Sequence, residues 1–64
     1  MRFSELDIRR DDKILFRYDW SNIARDGYVN EVTDTDEGEY VQISGQWHRS
    51  DSLVILKHWK YNGL

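Results

Sequence analysis

The chain has 64 residues and no cysteine, so it forms at most one small domain, without disulfides or thiolate zinc sites. Its formal net charge of −3 argues against a general nucleic-acid binder, which normally presents a basic face. No apolar stretch reaches the roughly 20 residues that span a bilayer, and the N-terminus has no signal-peptide core, so we expect a cytoplasmic protein that begins at its own methionine.

The first half of the chain predicts two strands. Residues 3–8 are a lead-in, either one helical turn or extended, and we expect Phe3 to pack there. The segment Lys13–Tyr18 predicts the first strand, because its apolar residues alternate with period two. A polar loop follows over residues 19–26, in which Ser21 can cap a short helical turn. Residues 27–33 predict the second strand.

The second half predicts a hairpin and two further strands. Residues 34–38 form a turn in which Gly38 supplies a positive φ, and residues 39–44 form the third strand. A turn at Gly45 leads into a short fourth strand at residues 46–49. After a break at residues 50–52, the apolar residues 53–56 predict a buried fifth strand. Residues 58–64 are expected to form a tail.

This succession of five short strands resembles the SH3-like barrels, including the Tudor and KOW variants. The segments that carry the resemblance are residues 12–16, 27–32 and 40–43, Trp47, and residues 53–56. The resemblance spans roughly residues 6–57 and implies a mostly-β, five-stranded barrel over a single domain, residues 1–64. The chain lacks the paired tyrosines and the proline of peptide-binding SH3 domains, and the basic character of ribosomal KOW modules. Its size and composition also resemble those of small accessory proteins encoded by bacteriophages.

No motif in the sequence predicts catalysis. His48 and His58 lie outside any HExxH pattern, and a metal site would need both of them plus a carboxylate such as Asp51. The three residue types of a hydrolytic triad occur at Ser50, His48 and Asp51, but so short a barrel offers little pocket volume. The glycine motifs that hold nucleotide phosphates are absent. We therefore predict a non-enzymatic protein without a cofactor or a metal.

Residues 27–46 carry five acidic side chains and no basic one. The spacing is not that of an EF-hand, because the twelfth position counted from Asp34 is Gly45. We interpret the acidic turn at residues 34–39 mainly as a solvated hairpin turn whose charge discourages pairing with other chains. The acidic residues are Glu31, Asp34, Asp36, Glu37 and Glu39.

The leading functional hypothesis is a small protein-binding module, either an adaptor or an inhibitor of a larger complex. In SH3-like folds the loops after the first two strands and the neighbouring strand surface form an aromatic groove for partners. An acidic loop can also dock on a basic partner surface. The alternative for each aromatic residue is packing in or beside the core. The predicted partner-binding residues are Trp20, Tyr40, Trp47, Asp34, Asp36 and Glu37.

Two other hypotheses stay open. Basic and aromatic side chains alternate over residues 57–61, which suits phosphate neutralisation and base stacking. The residues of this nucleic-acid hypothesis are Arg49, Lys57, Trp59, Lys60 and Tyr61. We favour instead that Trp59 folds back over the open end of the barrel while the lysines stay in water. The third hypothesis is a homo-oligomeric structural component that associates edge to edge. No membrane partner is expected.

Overall fold

Five antiparallel strands form a single sheet in the computed structural model, which describes residues 3 and 5–62. The strands are β1 (Lys13–Tyr18), β2 (Arg25–Thr35), β3 (Gly38–Ile43), β4 (Gln46–Arg49) and β5 (Leu53–Trp59). Their spatial order is β4-β3-β2-β1-β5, so β4 and β5 are the two edges, and no strand pairing between described residues closes the sheet into a barrel. The prediction of a mostly-β chain is confirmed. No helix among the described residues is long and apolar enough to cross a membrane.

The long strand β2 joins the two halves of the sheet. Its first residues pair with β1, and its later residues pair with β3. The pairing changes from β1 to β3 between Tyr28 and Val29, and a bulge follows directly, between Val29 and Glu31. Such bulges bend a strand. The extra residue, Asn30, accepts a 2.8 Å hydrogen bond from Gly45 N–H at its Oδ1 atom. The two halves β5-β1-β2 and β2-β3-β4 therefore share β2 and diverge at this bulge.

The core is mainly aliphatic. Phe3 and Ile8 come from the lead-in, so the expectation that Phe3 packs there is confirmed. Gly27 lies in β2 at a crowded point, where a Cβ atom would be 2.8 Å from Ile43 Cγ2. The sheet therefore needs glycine at this position. The buried hydrophobic residues are Phe3, Ile8, Ile14, Phe16, Val29, Val41, Ile43 and Leu53.

The predicted bounds of β1 and β4 are confirmed, whereas β2 is longer than predicted. It spans Arg25–Thr35 instead of residues 27–33, because Arg25 and Asp26 pair with β1 and Thr35 pairs with Gly38. The hairpin turn therefore shrinks to residues 36–37. The positive φ of Gly38, +124°, follows the prediction.

Two other elements also differ from expectation. The fifth strand does not end at Leu56 but continues to Trp59, because its last three residues pair with residues 13–15 of β1. The first two residues of the predicted tail, His58 and Trp59, are therefore strand, residues 60–62 follow it without regular structure, and residues 63–64 lie outside the described residues. No helical turn forms over residues 21–24, where Ser21 Oγ instead accepts a hydrogen bond from Ile23 N–H.

Asp12 ties the lead-in to the C-terminal end of the chain. Its Oδ2 atom accepts hydrogen bonds from His58 Nε2–H at 2.7 Å and Arg9 N–H at 3.1 Å, and its Oδ1 atom accepts one from Tyr61 N–H at 3.0 Å. The residue is only 3% exposed. Burial by itself raises the pKa of Asp12, but the hydrogen bonds from Tyr61, His58 and Arg9 outweigh burial and lower it. The buried carboxylate is therefore held ionised.

Candidate functional site

Trp20 belongs to an aromatic cluster at the end of β1. Its ring is 75% exposed and stacks on Tyr18, with centroids 4.8 Å apart and planes 9° apart. Tyr18 is half-buried against the core and also contacts the His48 ring at 5.6 Å and the Arg25 guanidinium at 5.2 Å. Burial lowers the pKa of His48, so this imidazole favours its neutral form.

Tyr40 and Trp47 lie on the outer face of β3 and β4. Trp47 is directly opposite Gln42, and Tyr40 is directly opposite Arg49, so the two aromatic residues are diagonal neighbours on one face. The intervening Val41 is buried on the opposite face. Trp47 is 49% exposed. The structure thus brings Tyr40 and Trp47 together but places Trp20 in the Tyr18 cluster instead.

One carboxylate lies in the same row as Trp47, and two more lie at the hairpin turn. Glu31 shares a row with Gln42 and Trp47 across three strands. Asp36 and Glu37 form the exposed hairpin turn, which Arg49 holds by donating a 3.0 Å hydrogen bond to the Glu37 carbonyl. We call the set of Glu31, Asp36, Glu37, Tyr40 and Trp47 the acidic–aromatic face.

The remaining two acidic residues of this segment are placed differently from each other. Asp34 is exposed and lies directly opposite Glu39 in the β2–β3 strand pairing. Glu39 is buried, and its Oε1 atom accepts a 2.6 Å hydrogen bond from Phe3 N–H. Glu39 therefore anchors the lead-in and is not available to a partner. Period two in β3 contained this signal, because it places Glu39 on the same side as Val41 and Ile43.

A second group of exposed side chains lies on the outer face of the other half of the sheet. Lys13 is directly opposite Tyr28 on one side and Trp59 on the other, so the three residues form a row across β2, β1 and β5. The Lys13 ammonium lies 5.9 Å from the Tyr28 ring centroid and 5.5 Å from that of Trp59. Lys57 Nζ lies 5.8 Å from the Trp59 centroid. We call Lys13, Tyr28, Lys57 and Trp59 the lysine–aromatic row.

The predicted nucleic-acid residues are only partly brought together. Lys57 and Trp59 are neighbours, and Trp59 lies in β5 opposite Lys13 instead of folding back over an open end. Lys60 is engaged by Asp7, with an ion-pair distance of 2.9 Å, and Tyr61 donates its backbone N–H to Asp12. The Lys60 and Arg9 side chains lower the pKa of Asp7.

Arg49 lies in β4, in the other half of the sheet, and is not part of the lysine–aromatic row. Sequence reasoning missed Lys13 and Tyr28, which join Lys57 and Trp59 only through the strand register. Period two along β1 places Lys13 opposite in direction to buried Ile14, so its outward orientation was readable, but its cross-strand neighbours were not.

The residue types of a hydrolytic site do not assemble. Ser50 Oγ is buried without a hydrogen-bond partner, so no hydrogen bond joins it to His48 or Asp51. His58 contacts Asp12, whereas His48 contacts Tyr18. Within residues 3 and 5–62, no group of three or more histidine, aspartate or glutamate side chains is placed to hold a metal ion.

Comparison of the chain with protein-family models, with curated proteins and with solved structures found no match.

Proposed function

We propose that this protein is a small non-enzymatic protein-binding module and that its partner binds the acidic–aromatic face through a basic segment. The observation that carries the proposal is the half-exposed indole of Trp47 beside Tyr40, with Glu31 in the same cross-strand row as Trp47 and an exposed acidic turn at residues 36–37 of the same hairpin. Tryptophan and tyrosine dominate the binding energy of many interfaces, because they bury large areas at low entropic cost. The exposed carboxylates of Glu31, Asp36 and Glu37 outnumber the Arg49 guanidinium, which lies opposite Tyr40, and so favour a partner of positive charge.

An SH3-like barrel arrangement is part of the proposal. The strand order β4-β3-β2-β1-β5, the bent strand β2 and the 3-10 turn Ser50–Ser52 before β5 support it. In this strand order β4 is an edge strand, so Trp47 lies near the margin of the sheet. A partner that reaches Trp47 can also approach the hairpin turn at residues 36–37.

Charge steering makes a specific contribution to this interface. The exposed carboxylates raise the association rate of a basic partner at low ionic strength, and salt screens them beyond about 8 Å at physiological concentration. The indole contributes mainly to the dissociation rate, because its contact area is desolvated only in the complex. Charge and aromatic variants should therefore affect different rate constants.

The test is affinity capture from lysate of the natural source, with and without nuclease treatment, and the captured protein is then purified for rate measurements. We expect Trp47→Ala to abolish capture. The triple variant Glu31→Gln, Asp36→Asn and Glu37→Gln should slow association and flatten its salt dependence. Glu39 is left intact because its change would disturb the fold.

The matched control removes three charges elsewhere, by Glu5→Gln, Asp11→Asn and Asp19→Asn, all at exposed positions. This control should retain capture and the steep salt dependence. Equal capture by wild type and Trp47→Ala would remove the acidic–aromatic face as the binding site. Capture that disappears with nuclease would reject a direct protein partner.

A further inference from the structure

The lysine–aromatic row is a second exposed surface that protein binding through the acidic–aromatic face does not use. Tyr28 is 57% exposed and Trp59 is 44% exposed. They flank Lys13 on adjacent strands, so their backbones are about 10 Å apart, which is two strand spacings. Two planar rings with an ammonium group between them are therefore presented to solvent on one face of the sheet.

The charge of this face is opposite in sign to that of the whole chain. The outward side chains of β1 and of its neighbours β2 and β5 include three cations, Lys13, Arg17 and Lys57. They face one carboxylate, Asp26, which lies 3.9 Å from Lys13 Nζ. The complete chain has a net charge of −3. The face is therefore a local positive region on an acidic protein, which directs an anionic ligand to it.

We propose that the lysine–aromatic row binds single-stranded nucleic acid. Tyr28 and Trp59 each offer a ring on which an unpaired base stacks, and Lys13, midway between them, faces the phosphate that links the two bases. Lys57, two residues before Trp59 on β5, neutralises a phosphate next to the base that stacks on Trp59. Every base has a planar face, so the contact tolerates different sequences. An acidic peptide would satisfy the lysines but would leave both rings without a stacking partner.

The exposed ammonium–ring contacts do not oppose this arrangement. Cation–π contacts at exposed sites are weak, and both lysines have flexible stems that move their ammonium groups from ring to phosphate. The inference is independent of the proposed protein partner, because the two surfaces lie on different halves of the sheet and share no residue.

The first measurement is fluorescence polarisation of a labelled single-stranded oligo-thymidylate at two salt concentrations, with the full chain. Two neutralised phosphates predict a slope of about −1.4 in log affinity against log salt, or about sevenfold weaker binding for a fourfold rise in salt. The double variant Lys13→Gln and Lys57→Gln should lose most of this slope. Trp59→Leu and Tyr28→Leu should each weaken binding by about fivefold or more, the effect of one lost base stack.

The controls are Lys60→Gln and Trp47→Leu, which lie outside the lysine–aromatic row and should leave the affinity within about twofold. Stacking has its own signature in a Trp20→Phe, Trp47→Phe background, where Trp59 is the sole tryptophan and should be quenched by the oligonucleotide. Thermal unfolding of each variant identifies any loss caused by misfolding, and variants that remain folded decide the result.

Three outcomes would overturn the proposal. They are absence of binding at low salt, binding that is unchanged by Trp59→Leu and Tyr28→Leu, and equal binding of poly-glutamate with no quenching of Trp59. The last outcome would assign the face to acidic protein segments instead.

Discussion

Asp12→Asn should destabilise the fold strongly at neutral pH, because the variant keeps the shape of the side chain but loses its charge. The carboxylate accepts hydrogen bonds from Arg9, His58 and Tyr61. The asparagine amide has one carbonyl oxygen, so it can accept hydrogen bonds at only one of the two positions that the carboxylate oxygens occupy. If that oxygen faces Tyr61, the amide N–H₂ meets the Arg9 N–H donor, and if it is flipped, it meets Tyr61 N–H instead.

The magnitude follows from the number of bonds lost. A hydrogen bond to a charged group contributes about 1.5–3 kcal/mol, so losing at least one gives a net cost of about 2–4 kcal/mol. A chain of this length has a total stability of roughly 3–10 kcal/mol. The variant should therefore unfold about 10–25 °C below the wild type, or fold only in part.

The effect of Asp12 also depends on pH in a defined direction. The folded-state pKa of Asp12 lies below the ordinary value of an aspartate, about 3.9, so the unfolded chain binds its proton first on acidification. The stabilisation from Asp12 is therefore present above this value and is lost as the pH falls through the folded-state pKa. The difference between wild type and Asp12→Asn should shrink below about pH 4, because asparagine does not titrate.

Urea unfolding followed by tryptophan fluorescence, repeated over a range of pH, measures both effects. The control is Asp7→Asn, which removes an exposed carboxylate paired with Arg9 and Lys60 and should change the free energy of unfolding much less. If Asp12→Asn costs no more than Asp7→Asn at neutral pH, or costs the same at every pH, Asp12 is not the ionised link inferred above.

Three further substitutions test other features of the fold. Gly27→Ala should lower stability by about 1–3 kcal/mol in urea unfolding, because the added Cβ would lie 2.8 Å from Ile43 Cγ2; no change would show that β2 and β3 separate freely. Burial lowers the pKa of His48 below 6.5, so wild-type stability should fall as pH drops through this value, and His48→Phe should remove that component of the pH profile. Trp20→Ala should cost about 1 kcal/mol or less yet reduce the near-ultraviolet circular dichroism of its stack with Tyr18; an unchanged spectrum would contradict the stacking.

Local sequence patterns were sufficient to predict the bounds of the strands that are flanked by turn residues. β1 and β4 have the predicted bounds, because period-two alternation and flanking polar clusters define them without reference to other strands. The end of β5 depended on distant pairing instead. Its last residues, Lys57, His58 and Trp59, are polar or amphipathic, and they remain in the strand because residues 13–15 of β1 pair with them.

The candidate surfaces were predictable as residue types but not as groups. Trp47 and Trp59 were selected because they are aromatic residues near charge, and both are exposed. Their neighbours depend on strand register, which no local pattern specifies. The same reason hid the bond between Asp12 and His58, which are 46 positions apart in the chain.

The distribution of aromatic residues separates folding from binding in this protein. The buried core contains two phenylalanines and six aliphatic residues but none of the three tryptophans or four tyrosines. Trp47→Leu and Trp59→Leu should therefore each change the free energy of unfolding by only about 1 kcal/mol, while each weakens binding of a different ligand. Loss of the fold in both variants would show that the two indoles are structural, and both proposed surfaces would then lose their common premise.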